Sequence, residues 1–385
     1  MMRDDAGWEG TGRWRFAAAI AGIVFLLGGA YAAERHRPLT FLIGDGPYYA
    51  ATAVSVLHDH DLDLKNQLRG GLEVHGAQIA LGRDGAWYPK HPILMPLASL
   101  PFLAVLGMDG LLVFNLVVLA LVAAAMALCA RRHAGPVASA GAVALLLAGT
   151  FLRGYVYNLS PDLFATLLCL AGTLLLLERR PVRAGLLLGA AIAAKFLLIV
   201  LVPWVAAAAW ARGGVRGAAR TAWGAAPAIA ALLLLNASLF GSPWVTSYDR
   251  GVTVRAGSER LITHRTQFDG DILAGLRGEI FDRTHGLLPT APAILLAVPG
   301  LVLLWRRDRG EAIATAGVFL TLLLVLAPYR GWSASHYGNR FLMPAIALLA
   351  PAVALACERA VASLARRPHP ALDRPDATLD RPVPS

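Results

Sequence analysis

The residue best suited to move a proton in this chain is Asp45. It lies in a Gly44-Asp45-Gly46-Pro47 turn, ahead of the paired aromatics Tyr48 and Tyr49. Further charged and polar residues stand at the borders of apolar segments. These are Asp59, Asp61 and Asp63; Lys90 with His91; Arg153 with Asn158 and Asp162; Lys195 inside an apolar run; and Arg330, His336, Asn339 and Arg340. A carboxylate facing several cations at a membrane boundary suits displacement of a phosphate leaving group. The acid takes a proton from an attacking hydroxyl, and the cations stabilise the departing anion.

Each residue has a plainer reading. Asp45, two residues before Pro47, could cap a helix. Asp162 follows Pro161 at a helix start, where a carboxylate suits the helix dipole. Asp59, Asp61 and Asp63 read as a solvated helix end. The His58-Asp59-His60-Asp61 alternation is weak evidence for a metal site, so no metal and no cofactor is expected. Lys90 and His91 could be an interfacial pair whose long arms reach for water. Tyr48 and Tyr49 could stack on a bound ring or simply mark the interface. Arg330 and Arg340 could anchor span ends. Lys195 resists dismissal, because an ionisable group within an apolar run is a functional hypothesis by default. The arginines at 250, 255, 260 and 265 recur every five residues and keep no helical face.

Composition sets what must position these groups. Of the 385 residues, 57% are hydrophobic and 16% charged, against roughly a quarter charged in soluble domains. The apolar residues fall in blocks long enough to cross a bilayer. Cys129, Cys169 and Cys357 lie in such blocks without CxxC spacing, which argues against a disulfide framework or a zinc site. The formal charge of +10 is mostly arginine. In a membrane protein this excess reports topology first, and no nucleic-acid partner is expected. The first apolar run is long and lacks a small-x-small cleavage pattern, so it is expected to remain as a span.

The basic clusters set directions across the membrane. Residues 1–13 are expected as a cytoplasmic tail, 14–364 as one transmembrane domain, and 365–385 as a disordered cytoplasmic tail. Loops 34–91 and 241–285 then lie outside. Residues 48–57 have helical spacing and read as a helix lying on the membrane surface. Residues 91–107, with three prolines, must begin and end outside, which fits a re-entrant or interfacial hairpin. Residues 184–211 have basic flanks on both sides and read as a second hairpin with Lys195 near its tip. The expected fold class is an all-α polytopic membrane protein of about eight full spans plus these two hairpins.

The order of motifs resembles the bacterial integral-membrane glycosyltransferases of the C superfamily, the group that includes family-39-like and lipid-A-sugar transferases. The resemblance covers most of residues 14–360. It rests on Asp45-Gly46-Pro47-Tyr48-Tyr49, on the run Tyr88-Pro89-Lys90-His91-Pro92 continuing to Pro96, and on Ser160-Pro161-Asp162. It rests also on the small-residue helix from Gly189 to Lys195, on Phe240-Gly241-Ser242-Pro243, and on Gly331-Trp332 with Gly338-Asn339-Arg340-Phe341. It implies a GT-C-like bundle in a bacterial cytoplasmic membrane. It also implies a polyprenyl-phosphate-linked sugar donor, chemistry on the outer face, and a lipid, glycan or protein acceptor. Asp45 would be the catalytic carboxylate, with Lys195 and Arg340 near the lipid phosphate. The chain is shorter than many members, and no soluble domain like theirs is expected after the last span within residues 1–385. Its acid is flanked by glycines where the family often has a second acid, which must then come from 59–63 or Asp162. The rival classes are a transporter or flippase of an anionic lipid-linked substrate, and a non-catalytic assembly subunit.

Overall fold

The computed structural model describes residues 11–35, 42, 44–69, 78–255, 258–261, 267–334 and 337–365. The expectations for the two tails therefore fall largely outside the described residues. Helix α1 runs from Thr11 to Arg35, followed by α2 (Gly46–Val54), α3 (Lys65–Arg69), α4 (Leu94–Leu106), α5 (Asp109–Arg131), α6 (Pro136–Ala148), α7 (Pro161–Leu177), α8 (Pro181–Ala194) and α9 (Val202–Phe240). After them come α10 (Ile272–Phe281), α11 (Leu287–Thr290), α12 (Ala297–Arg307), α13 (Arg309–Leu326), α14 (Met343–Leu348) and α15 (Ala350–Leu364). Several open on proline, as at Pro136, Pro161 and Pro181. There the missing N–H costs nothing and the fixed φ suits a first turn.

The centre of the bundle is α5, apolar on all sides and buried from Gly110 to Ala130 on most of its circumference. A helix that is apolar all round belongs in a core or a membrane. Against it pack α1, α6, α7 and α15. A second unit forms where α8 lies along α9. A Cβ on Gly185 would stand 1.9 Å from the Thr221 carbonyl oxygen, and one on Gly224 would stand 2.0 Å from that of Val182. Small residues let the two backbones touch, which replaces the hydrophobic drive absent in lipid.

Ion pairs gather the basic clusters at one end of the bundle. Arg13 pairs with Glu178, Arg212 with Asp308, Arg307 with Glu358, and both Arg132 and His133 with Glu311. The start of α1 and the ends of α5, α7 and α12 thus share one side.

Among the described residues, four helical elements are long and apolar enough to cross a membrane, and six if two bent pairs each count as one span. The bent pairs are α6 with the 3₁₀ turn Phe151–Tyr157, at 62°, and the Arg340–Leu348 run with α15, at 52°. The expected count of about eight included segments that are shorter or broken here. One is the 17-residue α7. Another is the stretch up to Arg307, which is split among α11, a 3₁₀ turn and α12.

Three local expectations need correction. Residues 91–107 are not a hairpin but the single helix α4. Pro96 falls in its first turn, where no hydrogen bond is lost, and only Pro101 sits in its interior. The helix expected at 48–57 is α2 continued by a π turn, Ser55–Asp59, but it does not lie open on a surface. Residues 48–53 are all buried. What covers it is a small antiparallel sheet that the all-α reading omitted. Its strands are β1 (Ile79–Leu81), β2 (Trp87–Pro89), β3 (Gly251–Arg255) and β4 (Ser258–Leu261), in the order β2-β1-β3-β4. Ile79 pairs with Pro89 on one side and Val252 on the other. Tyr48, Ala51, Leu64, Leu68, Ile79, Trp87 and Val252 close a separate apolar core beneath it.

The second expected hairpin does form at residues 184–211. Its first arm is α8, its tip is Lys195, and its second arm runs through a 3₁₀ turn into α9. Gly214 breaks α9 with φ +57°, a left-handed value that glycine adopts without a Cβ clash.

Candidate active site

The end of the bundle opposite the basic clusters holds two carboxylates and two cations in alternation. Lys195 donates from Nζ to Asp162 Oδ1. Arg340 lies 3.9 Å from Asp162 Oδ2 and donates to Asp45 Oδ2 at 2.8 Å. These four residues are separated by as many as 295 positions in the chain, and each arrives by its own local device.

Asp45 stands at the N-cap position of α2, yet its side chain makes no capping bond. Its backbone carbonyl accepts from Tyr48 and Tyr49, which starts the helix. The carboxylate is thereby left to face Arg340, and the capping role is not the one it fills. Asp162 lies in the first turn of α7 and likewise caps nothing; it is 2% exposed. Lys195 is extended where α8 stops, with φ −153° and ψ 101°, so the hairpin tip projects its ammonium toward Asp162. Arg340 opens a 3₁₀ turn whose first N–H is held by the Asn339 side chain, which accepts from Phe341 at 3.2 Å. Gly338 lets that segment approach: its φ is +70°, and a Cβ there would meet Phe151 at 2.3 Å.

A second network runs away from Asp45. Gln78 Nε2 donates to Asp45 Oδ1 at 3.1 Å, and Gln78 Oε1 is 2.7 Å from His91 Nε2. His91 Nδ1 is 3.2 Å from the Tyr248 hydroxyl. One assignment satisfies every member. Tyr248 donates to Nδ1, Nε2–H donates to Gln78, the Gln78 amide donates to Asp45, and Arg340 donates to the other carboxylate oxygen. Tyr49 covers His91, with ring centroids 5.2 Å apart.

The electrostatics agree with that assignment. Burial works to raise the Asp45 carboxyl, but the opposing charges of His91, when protonated, and Arg340 more than offset it. Asp45 therefore sits below the usual carboxylate value. Burial drives His91 down to about 4 against the pull of Asp45. At neutral pH His91 is uncharged, and Arg340 is the cation that holds Asp45 ionised. Burial also raises Tyr49 and Tyr248, so both keep their hydroxyl protons.

Lys90 is only 8% exposed, at the end of β2. Its carbonyl accepts from Ser247, and its ammonium lies 5.7 Å from the centre of the Tyr248 ring. Among the described residues it has no carboxylate partner, unlike Lys195 and Arg340. Beside it opens an apolar cavity of about 480 Å³ between α4, α8 and α9, reached at one end by His91 and Phe196.

The structure thus brings together Asp45, Asp162, Tyr49, Lys90, His91, Lys195 and Arg340, with Asn339 as the cap that aims Arg340. Tyr48 points the other way, into the core under the sheet. Arg330 pairs with Asp269, its Nε 2.7 Å from the carboxylate, and is two-thirds exposed. It makes no bond to the four central residues. His336 lies outside the described residues. Asp59, Asp61 and Asp63 are engaged locally: Asp61 accepts from Ser55, and Asp63 accepts from the Trp87 and Lys65 backbones. Asp59 holds Asn66 and Gln67. Gln78 and Tyr248 were not anticipated. Each is a single polar residue in a long loop, and neither sits in a pattern that would mark it.

No protein-family model and no curated protein sequence matches this chain. Among solved structures it is similar to ArnT from Cupriavidus metallidurans bound to undecaprenyl phosphate, with a TM-score of 0.57 and 12% identity. The match covers 92% of this chain, which spans 60% of the length of that one. At that identity the likeness is one of fold, and the fold is the polytopic all-helical membrane bundle expected from the sequence.

Proposed function

We propose that the chain is a membrane glycosyltransferase that moves a sugar from a polyprenyl-phosphate donor to an acceptor hydroxyl, with Asp45 as base. The observation that carries this reading is a buried, ionised Asp45 close to an unpaired lysine and an apolar groove. Arg340 and Gln78 each occupy one lone pair of its oxygens, and a carboxylate has about four. An acceptor hydroxyl therefore still finds a basic site. It loses its proton to Asp45 as its oxygen bonds to the anomeric carbon. The bond from that carbon to the phosphate oxygen breaks, and the phosphate leaves with the electron pair. One displacement at that carbon inverts it.

The cations divide the remaining work. Lys195 and Arg340 are bonded to Asp162 and Asp45, so they fix the carboxylates and set the local field. Lys90 is the cation free to meet a departing phosphate. A prenyl chain would lie in the groove between α4, α8 and α9, which runs from His91 into apolar side chains. Asp162 serves as the counter-charge that keeps Lys195 and Arg340 in place. The arginine-rich opposite end supports, by the positive-inside rule, a reading with this site on the outer face and both termini inside. The likeness to a structure bound to undecaprenyl phosphate supports a lipid-phosphate donor.

The test is reconstitution of the purified protein with polyprenyl-phosphate sugars and candidate lipid, glycan and peptide acceptors. Transfer is expected with the intact chain and lost in Asp45→Asn. Transfer that persists unchanged in Asp45→Asn removes Asp45 as the base. The two bent helix pairs favour a second reading, transport of a lipid-linked anion by broken helices. Movement of the labelled lipid between leaflets without sugar release would select it.

A further inference from the structure

The molecule has a second apolar groove, on the far side of α5. It lies between α1 and α6, encloses about 570 Å³, and is lined by Ile20, Leu27, Tyr31, Val143 and Leu147 among others. From Ile20 to Tyr31 it follows α1 for eleven residues, about 16 Å at 1.5 Å per residue. That is about half of a 30 Å hydrocarbon core, or one leaflet. Its end at Tyr31 and Arg153 adjoins a polar pocket of about 300 Å³, which the same two residues share with Thr150, Thr290 and Tyr337.

Arg153 sits at the junction of the two spaces, exposed, and among the described residues it has no ionic or hydrogen-bond partner. It lies at the site end of the bundle, since its 3₁₀ turn carries Phe151 against Gly338 and Tyr155 donates to the Tyr337 carbonyl. An exposed arginine with no partner among the described residues is open to an anion at this end. The Asp45 and Asp162 carboxylates are already taken by Arg340 and Lys195.

We infer that the α1–α6 groove holds an anionic phospholipid of the leaflet on the site's side, with one acyl chain along α1 and its phosphate on Arg153. The occupant is a bilayer lipid because the groove matches one leaflet in length and is apolar except at the arginine. This inference needs only the membrane setting and does not rest on sugar transfer. The polar pocket takes the headgroup, and its wall includes Tyr337, three residues before Arg340.

The test uses the full chain in vesicles containing either phosphatidylglycerol or phosphatidylcholine that carries a photoreactive diazirine in mid-chain. Labelled peptides are mapped by mass spectrometry. Phosphatidylglycerol is expected to label residues 20–31 and 140–148 about fivefold more than phosphatidylcholine, the preference one arginine confers on an anionic lipid. Arg153→Gln should bring the two lipids level. Ala144→Phe, which fills the groove from an exposed position on α6, should lower labelling by both. Peptides lining the groove between α4, α8 and α9 serve as an internal reference for folding. Equal labelling by the two lipids in the unaltered protein overturns the inference, as does a preference that survives Arg153→Gln. If Arg153→Gln fails the folding reference, Ala144→Phe decides: phosphatidylglycerol labelling that persists with the groove filled also overturns it.

Discussion

At the basic end of the bundle, acids are outnumbered by arginines, and the pairs range from the buried His133 and Glu311 to one that stands in solvent. Arg307 and Glu358 are 50% and 30% exposed at the side chain. At the other end, two acids and two cations balance, and the side chains of Asp45, Asp162, Lys195 and Arg340 are 2–14% exposed. Both ends hold ion pairs, yet they differ in energetic meaning. An exposed pair is worth about 0–1 kcal/mol, and salt screens it. A buried pair repays its desolvation only with good geometry, and replacing both partners by apolar groups is often neutral or stabilising. The basic end is explained by topology alone. The site end is not, and that asymmetry is the physical reason to look for function there.

Substitutions can break this contrast. Asp45→Asn should lower kcat by about 10²–10⁴, the usual worth of a general base, whereas Glu358→Gln at the other end should leave it within twofold. Steady-state transfer assays on both variants check this, and similar losses at the two ends would abolish the distinction. Lys195→Met leaves Asp162 with only the more distant Arg340, 3.9 Å away, and should cost about 3–5 kcal/mol of stability. The double variant Asp162→Leu/Lys195→Met should recover most of it. Thermal or denaturant unfolding of the two in the same detergent gives the answer, and a double variant as unstable as the single would show that the pair is a net stabiliser.

Lys90→Met should raise the apparent KM for a lipid-phosphate donor about 10–100-fold, as expected for one hydrogen bond to a charged group. An unchanged KM would take the phosphate elsewhere. Acid titration sharpens the contrast further. Asp45 acts only when ionised, and its value lies below the usual carboxylate range, so activity is present above that value and lost as pH falls through it. His91 remains neutral down to about 4. The kcat/KM profile should therefore vary less than twofold between pH 8 and 5, and fall only as pH drops below the usual carboxylate range. A break near 6.5 would mean that His91 titrates as an open histidine. The smallest effect belongs to Arg307→Gln, within about 1 kcal/mol of the unaltered protein.

Much of this was legible in the sequence because membranes write coarse, long signals. Spans, their basic flanks and the hairpin with Lys195 at its tip follow from runs of apolar residues and the positions of arginines. Asp45 and Asp162 stood out as acids at helix starts. What their side chains do there was not legible. A dipole or capping role and an ion pair leave the same trace in sequence, and the choice depends on Arg340 arriving from 295 residues away. The sheet was hidden for a related reason. Its strands are three to five residues long, too short for alternation to register, and β1 pairs with a strand about 170 positions later. Tyr48 and Tyr49 looked equivalent as neighbours, yet successive helical residues face about 100° apart. One closes the core under the sheet and the other covers His91.

That sheet has a consequence for supply. Since β1 is paired on both sides, the segments carrying Gln78, Lys90, His91 and Tyr248 form one plate, pinned further by the bonds from Ser247 to the Lys90 carbonyl and from Arg250 to that of Leu81. A plate pinned in this way moves only as a whole. Under the proposed transfer, a lipid-linked donor would reach this plate sideways, by diffusion in two dimensions through the groove beside α4. The concentration that governs its turnover is a mole fraction in the bilayer: adding buffer to the vesicles should leave the rate per protein unchanged, and adding plain lipid should lower it.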